Sequence, residues 1–301
     1  MQRRKGRYYL GRVVKDGQLT QEKLLDGIRH PVVFEKGKYK WTIVGCEEGD
    51  VDGSPYIFGN VAKYEDNGAV PVVREESRDE MEVTVPGLLV AKSPFIYFRG
   101  FSGIAYMHVW NAIEEWTFRK IFSRIITGKY DDFFVGCTVE PISDLKSFTS
   151  RIMGLKTIMN MQARVHPPNP LFGPLWEELK DYMIERKAST LNIKEEGSSD
   201  KGGLLTNIQM AIQKILSKEI ASVTQPLPLM DAAMLMATDG YGVGQIIGED
   251  EDSTQVIIRT ADTQKSFLFA KEPEVGALAK KVYAQLCEIS KERDMKHASK
   301  K

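Results

Sequence analysis

Between residues 41 and 109 the sequence is a succession of short runs of β-branched and aromatic residues, separated by Gly, Pro, Asn and acidic turns. Runs of this length and composition predict strands. No regular alternation of strand and helix follows them, so an α+β fold with mainly antiparallel sheets is favoured over a doubly wound parallel sheet. The runs are 41–46, 56–63, 81–90, 94–99 and 104–109.

Capping residues predict where several helices begin. Thr20 is expected to cap a short amphipathic helix. Asn111 is predicted as the N-cap of a helix over 111–127, with Glu114 three residues later as in a capping box. Ser143 is expected to cap the next helix.

His166-Pro167-Pro168-Asn169-Pro170 lies between a predicted strand at 156–165 and an amphipathic pattern at 171–183. Asn169 followed by Pro170 fits an N-cap and the first helical position, where proline loses no hydrogen bond. The segment is therefore predicted to be a rigid joint that leads from a strand directly into a helix.

The remaining chain contains a small, polar linker candidate at 197–203, followed by an amphipathic helix. The segments 234–237, 244–247, 255–260 and 266–269 are predicted as an antiparallel meander, with Asp239-Gly240 as a hairpin turn. An amphipathic pattern over 274–293 predicts a terminal helix. We expect two subdomains, an N-terminal one at 1–187 and a C-terminal one at 188–301.

Charge and composition limit the classes of function. The chain has 301 residues, and its 41 Lys and Arg balance its 41 Asp and Glu, so an anion-binding surface requires local clustering. The longest apolar stretch, 85–98, contains Lys92 and two prolines and is too short to span a bilayer. The basic first residues lack the apolar segment of a secretory signal, which predicts a cytoplasmic protein. Three widely spaced cysteines suggest neither a disulfide framework nor a zinc module.

Motifs that carry chemistry are weak. The glycines at 240–244 precede a second strand and not a helix, so a hairpin is favoured over a phosphate loop. The acidic runs 47–52 and 249–252 are typical of solvated turns and do not match a calcium loop. We therefore predict no catalytic residue, metal ligand or cofactor, and an enzyme is the less favoured class. A metal-dependent nuclease whose carboxylates are assembled by folding stays open as an alternative.

Basic residues give the main functional indication. On the 111–127 helix, Glu115 and Arg119 are expected to neutralise each other, which leaves Lys120 and Arg124 as a positive edge. If the basic residues that follow converge on this edge, they form a face that binds phosphates. The predicted nucleic-acid-binding residues are Lys120, Arg124, Arg151, Lys156, Arg164 and His166, together with an N-terminal basic arm of Arg3, Arg4, Lys5 and Arg7.

The order of elements resembles that of the RexA proteins of phage exclusion and, more loosely, the KwaB component of the Kiwa defence system. The likeness lies in three segments: the strand-turn-strand pattern of 93–105, the strand end at 138–142, and 231–269 before the terminal helix. This resemblance implies a homodimeric, cytoplasmic, DNA-binding protein that senses phage material and acts with a separate membrane protein. An interaction module that recognises a phage component is a further alternative, and its expected sign is an exposed apolar patch on the 171–183 helix.

Overall fold

The structure is a computed structural model that describes residues 4–131, 134–198, 200, 202–223 and 226–297. It has the predicted α+β fold, in which the sheets are antiparallel. None of the helices in these ranges is both long and apolar enough to cross a bilayer.

Strands predominate in the first part of the chain, and helices alternate irregularly with strands further along. The strands are β1 Lys5–Gly17, β2 Phe34–Lys36, β3 Tyr39–Val51, β4 Ser54–Val73, β5 Glu80–Phe98, β6 Gly103–Met107, β7 Val135–Pro141, β8 Thr157–Val165, β9 Leu171–Phe172, β10 Leu191–Glu196, β11 Gly242–Glu249, β12 Gln255–Arg259, β13 Ser266–Ala270 and β14 Lys296–His297. The helices are α1 Gln21–Arg29, α2 Glu115–Gly128, α3 Leu145–Met153, α4 Glu177–Glu185, α5 Ile208–Leu216, α6 Leu229–Met236 and α7 Val275–Glu292.

The larger sheet has eight strands in the order β13-β1-β6-β5-β4-β3-β2, with β7 also paired to β1. Its central strands are buried on both faces, because helices cover both. Phe95 and Tyr97 of β5 pack in the cluster that contains α2, whereas Ile96 and Phe98 pack in the cluster that contains α7. This two-sided burial explains why the run 94–99 is continuously apolar and not alternating.

The smaller sheet has the order β10-β8-β11-β12 and packs against α3, α5 and α6 in a third core cluster. Strands from both sides of residue 187 pair within each sheet: β1 pairs with β13, and β8 pairs with both β10 and β11. The sheets are therefore not divided at that point of the chain. The predicted linker 197–203 includes residues 199 and 201, which lie outside the described residues.

The distal parts of β4 and β5 form a two-stranded ribbon over residues 66–73 and 80–90, which projects about 25 Å beyond the neighbouring strands. β3 pairs with β4 only as far as Glu65. One face of the ribbon carries the pairs Val70–Val83 and Val72–Met81, and the other face carries Glu80 and Glu82. Val73 and Pro71 lie opposite these glutamates and are exposed, so both faces of the ribbon expose apolar side chains.

A buried ionic cluster joins the two sheets. Arg12 of β1 donates from Nε to the carbonyl of Asp239 (2.7 Å), which follows α6. Arg293, the C-cap of α7, donates to the Asp239 carboxylate and, from Nη2, to the carbonyl of Ser143 (2.6 Å). Trp176 Nε1 donates to the same carboxylate at 2.8 Å. The cluster thus holds β1, α7 and the segment after α6 together.

Two predicted helix starts are wrong by a few residues. Asn111 lies at φ 58° in a tight turn, and α2 begins after Glu114, the actual N-cap. Asp144 and not Ser143 caps α3, because its carboxylate accepts the amide of Ser147 at 2.9 Å. The Ser143 hydroxyl instead donates to the carbonyl of Thr260. The predicted Thr20 cap is confirmed by its bond from the Lys23 amide.

The predicted joint at 166–170 is also different. The peptide bond between Asn169 and Pro170 is cis, and the chain continues as β9 and a 3₁₀ turn, Pro174–Trp176, before α4 begins. β9 is paired with β14 near the other end of the chain, a contact that a local capping pattern cannot reveal.

Residues 234–237, predicted as a strand, belong to α6 and to the π-helical turn Ala237–Tyr241 that follows it. Asp239-Gly240 lies in this turn and does not form a hairpin. The segment is buried on all sides, so its apolar residues show no helical period, and a short apolar run cannot be told from a strand.

Candidate nucleic-acid interface

Helix α2 carries two different faces. The apolar face packs on the larger sheet and consists of Phe118, Ile121, Phe122 and Ile125. The opposite stripe follows a spacing of four, three and four residues, which places its members on one side of a helix. This stripe consists of Trp116, Lys120, Ser123 and Thr127.

A groove lies between this stripe, strand β7, and the adjoining ends of β8 and β11. Its cavity volume is about 670 Å³. Strand β7 forms the floor because it pairs with β1 at the edge of the larger sheet, while α2 packs across it. The groove thus lies where the two sheets meet. The charged residues that line it are Arg119, Lys120, Arg124, Glu140 and Arg164.

The groove is electropositive. Of the five charged side chains that line it within the described residues, four are cations, and the fifth, Glu140, is buried. Arg164 Nη2 lies 3.9 Å from Glu140 Oε1, and the Arg164 side chain is half exposed. Lys120 and Arg124 are exposed. Cations therefore outnumber carboxylates among the described side chains that line this concave surface, in a chain whose total charge is zero.

Arg119 also lines the groove, although its charge was expected to be neutralised by Glu115. Its expected partner, Glu115, instead forms a hydrogen bond with His108 Nδ1 at 2.9 Å. The expected neutralisation was wrong because His108, at the end of β6, comes within reach only after folding. Arg119 adds to the positive edge of Lys120 and Arg124.

Three of the predicted binding residues do not reach this groove. Arg151 and Lys156 precede β8, whereas Arg164 lies near its far end, so eight residue steps along the strand place Lys156 about 26 Å from Arg164. His166 is buried, and its Nδ1 lies 3.2 Å from the carbonyl oxygen of Ser189. The structure therefore brings together Lys120, Arg124 and Arg164, but not the whole predicted set.

Most of the predicted N-terminal arm is part of a sheet, because β1 begins at Lys5. Arg3 lies outside the described residues. The Arg4 carbonyl accepts the Lys271 amide, and Lys5 pairs with Ala270. Arg7 is exposed, and its carbonyl accepts the amide of His108 at 2.9 Å. Of these residues, Arg7 is thus held close to the residues that lead into α2.

Cys137 lines the floor of the groove. Burial raises the pKa of Cys137 to about 12, so this side chain is a neutral thiol at physiological pH. Within the described ranges, no group of three or more His, Cys, Asp or Glu side chains is arranged to hold a metal ion. The groove therefore presents cationic hydrogen-bond donors, and the side chains of Lys120 and Arg124 are exposed on the wall that α2 forms.

Comparison with known proteins assigns the chain to no family. The sequence matches no protein-family model, and no curated protein is significantly similar to it.

Proposed function

We propose that this protein binds nucleic acid, DNA foremost, through the groove between α2, β7 and β8. The observation that supports the proposal is the convergence of Arg119, Lys120 and Arg124 on α2 with Arg164 on β8. Arginine and lysine side chains contact phosphate oxygens, and such contacts position a nucleic acid without reading its bases. The proposed activity is therefore binding without strong sequence preference.

The salt dependence of DNA affinity follows from the number of groove cations that contact phosphates. Each phosphate that is neutralised on duplex DNA releases condensed counterions and contributes a slope of about −0.9 to the plot of log affinity against log salt. With three or four contacts, the affinity should fall roughly 50- to 150-fold between 50 and 200 mM salt.

Two charge-reversal variants test the proposal. Lys120→Glu with Arg124→Glu changes the groove, whereas Arg151→Glu with Lys156→Glu makes the same change in charge at the other end of β8. We expect the first variant to weaken DNA binding more than tenfold and to flatten the salt slope by about 2. The second should stay within about threefold of the unchanged protein. Fluorescence anisotropy with a labelled oligonucleotide measures both, and equal losses in the two variants would contradict the groove.

We further propose that this binding serves phage defence or exclusion in the cytoplasm, with the chain acting as a homodimer beside a separate membrane protein. The resemblance to RexA and KwaB proteins supports this setting. Plaque counts in cells that carry the gene, compared with cells that carry the groove variant, test it. Equal plating in the two strains would reject a role for the groove in defence.

A protein-interaction module is the second candidate. Tyr182 of α4 and Leu229 of α6 are 48% and 50% exposed, and both line a cavity of about 410 Å³ between the two helices. Exposed apolar side chains next to a concavity are typical of a binding surface. Tyr182→Glu should abolish a partner interaction at this surface and leave DNA affinity unchanged.

A further inference from the structure

Two of the four tryptophans are exposed in a protein that buries the other two. Trp41 and Trp176 are 3% and 2% exposed, as expected for core residues. Trp110 is 77% exposed and Trp116 is 50% exposed. Trp116 lies in the first turn of α2 and lines the electropositive groove. The packing of the fold does not account for the exposure of either indole.

Trp116 lines the groove, whereas Trp110 lies outside its lining and is connected to the start of α2 through His108. Trp110 lies at the outside of the turn between β6 and α2, where its ring packs edge-on against His108 at 4.4 Å between centroids. His108 is bonded in turn to Glu115, the residue before Trp116. Two contacts therefore connect Trp110 to the start of α2.

Both rings are partly fixed before any ligand arrives. Trp116 Nε1 donates to the Glu114 carboxylate at 2.9 Å, which orients the ring and leaves half of its surface open. The contact with His108 restricts Trp110 in the same way. Side chains that are already ordered lose less rotamer freedom on binding, so they contribute more of their contact energy to affinity.

The cations continue from this aromatic end along the groove. Lys120 lies one helical turn after Trp116, and Arg124 lies one turn further. The stripe from Trp116 to Thr127 is about 16 Å long. The surface thus combines an aromatic platform with a cationic track, which is the arrangement that binds an unpaired strand by stacking its bases and holding its backbone.

We propose that the groove binds single-stranded nucleic acid, with bases stacked on Trp116 and Trp110 and phosphates held by Arg119, Lys120, Arg124 and Arg164. This inference rests on the proposed function and specifies its ligand. The bases of a duplex are already stacked on one another, so they cannot cover exposed indole faces without unpairing. An unpaired strand offers the faces of its bases at no such cost, which favours it over duplex.

The experiment compares a labelled single-stranded oligonucleotide of about 16 nucleotides with a hairpin duplex of the same length. DNA and RNA versions of each are measured by anisotropy and by quenching of tryptophan fluorescence. We expect tighter binding of the single strand, with quenching that is reduced in Trp116→Phe. Trp116→Ala and Trp110→Ala should each weaken single-strand binding roughly five- to hundredfold and weaken duplex binding much less.

Trp116→Phe keeps an aromatic face and should restore most of the affinity that Trp116→Ala loses. Because both tryptophans are exposed, thermal melting of the variants should match that of the unchanged protein, which separates a binding effect from misfolding. If duplex binds as tightly as single strand, or if both alanine variants keep full affinity while Lys120→Glu loses it, stacking is rejected and phosphate binding stands. If no nucleic acid binds at all, the proposed function itself fails.

Discussion

Lys15 is the lysine whose charge the fold disfavours most clearly. It lies on β1, and its Nζ donates to the Gln21 side-chain oxygen at 3.1 Å and to the Ser102 hydroxyl at 3.0 Å, both of which are neutral. Burial lowers the pKa of Lys15 from 10.5 to about 8, although Cys137 and Glu22 act in the opposite direction. The ammonium is solvated by neutral oxygens only, so its proton is held less tightly than in the unfolded chain.

This difference predicts a dependence of stability on pH. Between pH 8 and 10.5 the unfolded state binds the Lys15 proton and the folded state does not, so the free energy of unfolding rises with pH. The stabilisation is complete above pH 10.5 and is lost as the pH falls through 8. Urea unfolding at pH 7.5, 9 and 10.5 should show this rise relative to Lys15→Met. Parallel curves for the two proteins would mean that Lys15 keeps its ordinary pKa.

Residue-level reasoning from the sequence found part of the groove. Lys120 and Arg124 were predicted because helical spacing alone places them together, and Arg164 was predicted from its place at a strand end. Arg151 and Lys156 are close to Arg164 in sequence, but the length of β8 separates them from the groove. Trp116 follows the same helical spacing as Lys120, so its position on the stripe could have been predicted, but its exposure could not.

At the scale of elements, the burial of β5 changes along the length of the strand. Phe95 to Phe98 are fully buried between two layers of helices, whereas the side chains at the ribbon end of the strand are exposed or only half-buried. A two-stranded ribbon has little cross-strand and core stabilisation of its own, so it is marginally stable in water. The two ends of one strand therefore differ in local stability.

Hydrogen exchange should reveal this difference. We expect amides of the ribbon such as Val83 and Val85 to exchange at least a hundredfold faster than the amide of Ile96 in the same strand, because opening the ribbon exposes little buried surface. Mass spectrometry of peptides from the two halves of β5 measures the rates. Similar protection in both halves would indicate that the ribbon is covered by another surface in solution.

Element prediction succeeded where the pattern is local. Helix α7 was expected over 274–293 and extends over Val275–Glu292, because its apolar residues recur at helical spacing and Glu274 caps it. The prediction was wrong at α6, where side chains are buried on all sides and the apolar residues therefore show no helical periodicity. The runs 81–90 and 94–99 were predicted as separate strands because of Pro94, but they form the single strand β5, in which Pro94 pairs with Asn60.

At the scale of the whole molecule, the two sheets are connected by buried side-chain interactions as well as by the chain segments that run between them. Arg12 belongs to the larger sheet, and Asp239 follows a helix that packs on the smaller one. The Arg12 guanidinium also lies 5.0 Å from the ring centre of Tyr241. Two buried guanidiniums and one carboxylate meet here, so the carboxylate is essential to the balance of charge at the junction.

Asp239→Asn should therefore destabilise the whole protein. The substitution keeps the size of the side chain but leaves Arg293 as a buried cation without its ion-pair partner, and breaking a buried ion pair in this way costs about 3–5 kcal/mol. Asp252→Asn, on an exposed turn, should change the free energy of unfolding by less than about 0.5 kcal/mol. Urea unfolding followed by circular dichroism and by tryptophan fluorescence should show one shared midpoint that moves in the first variant only. A loss below 1 kcal/mol would indicate that the packing around the junction, and not the carboxylate, holds the sheets together.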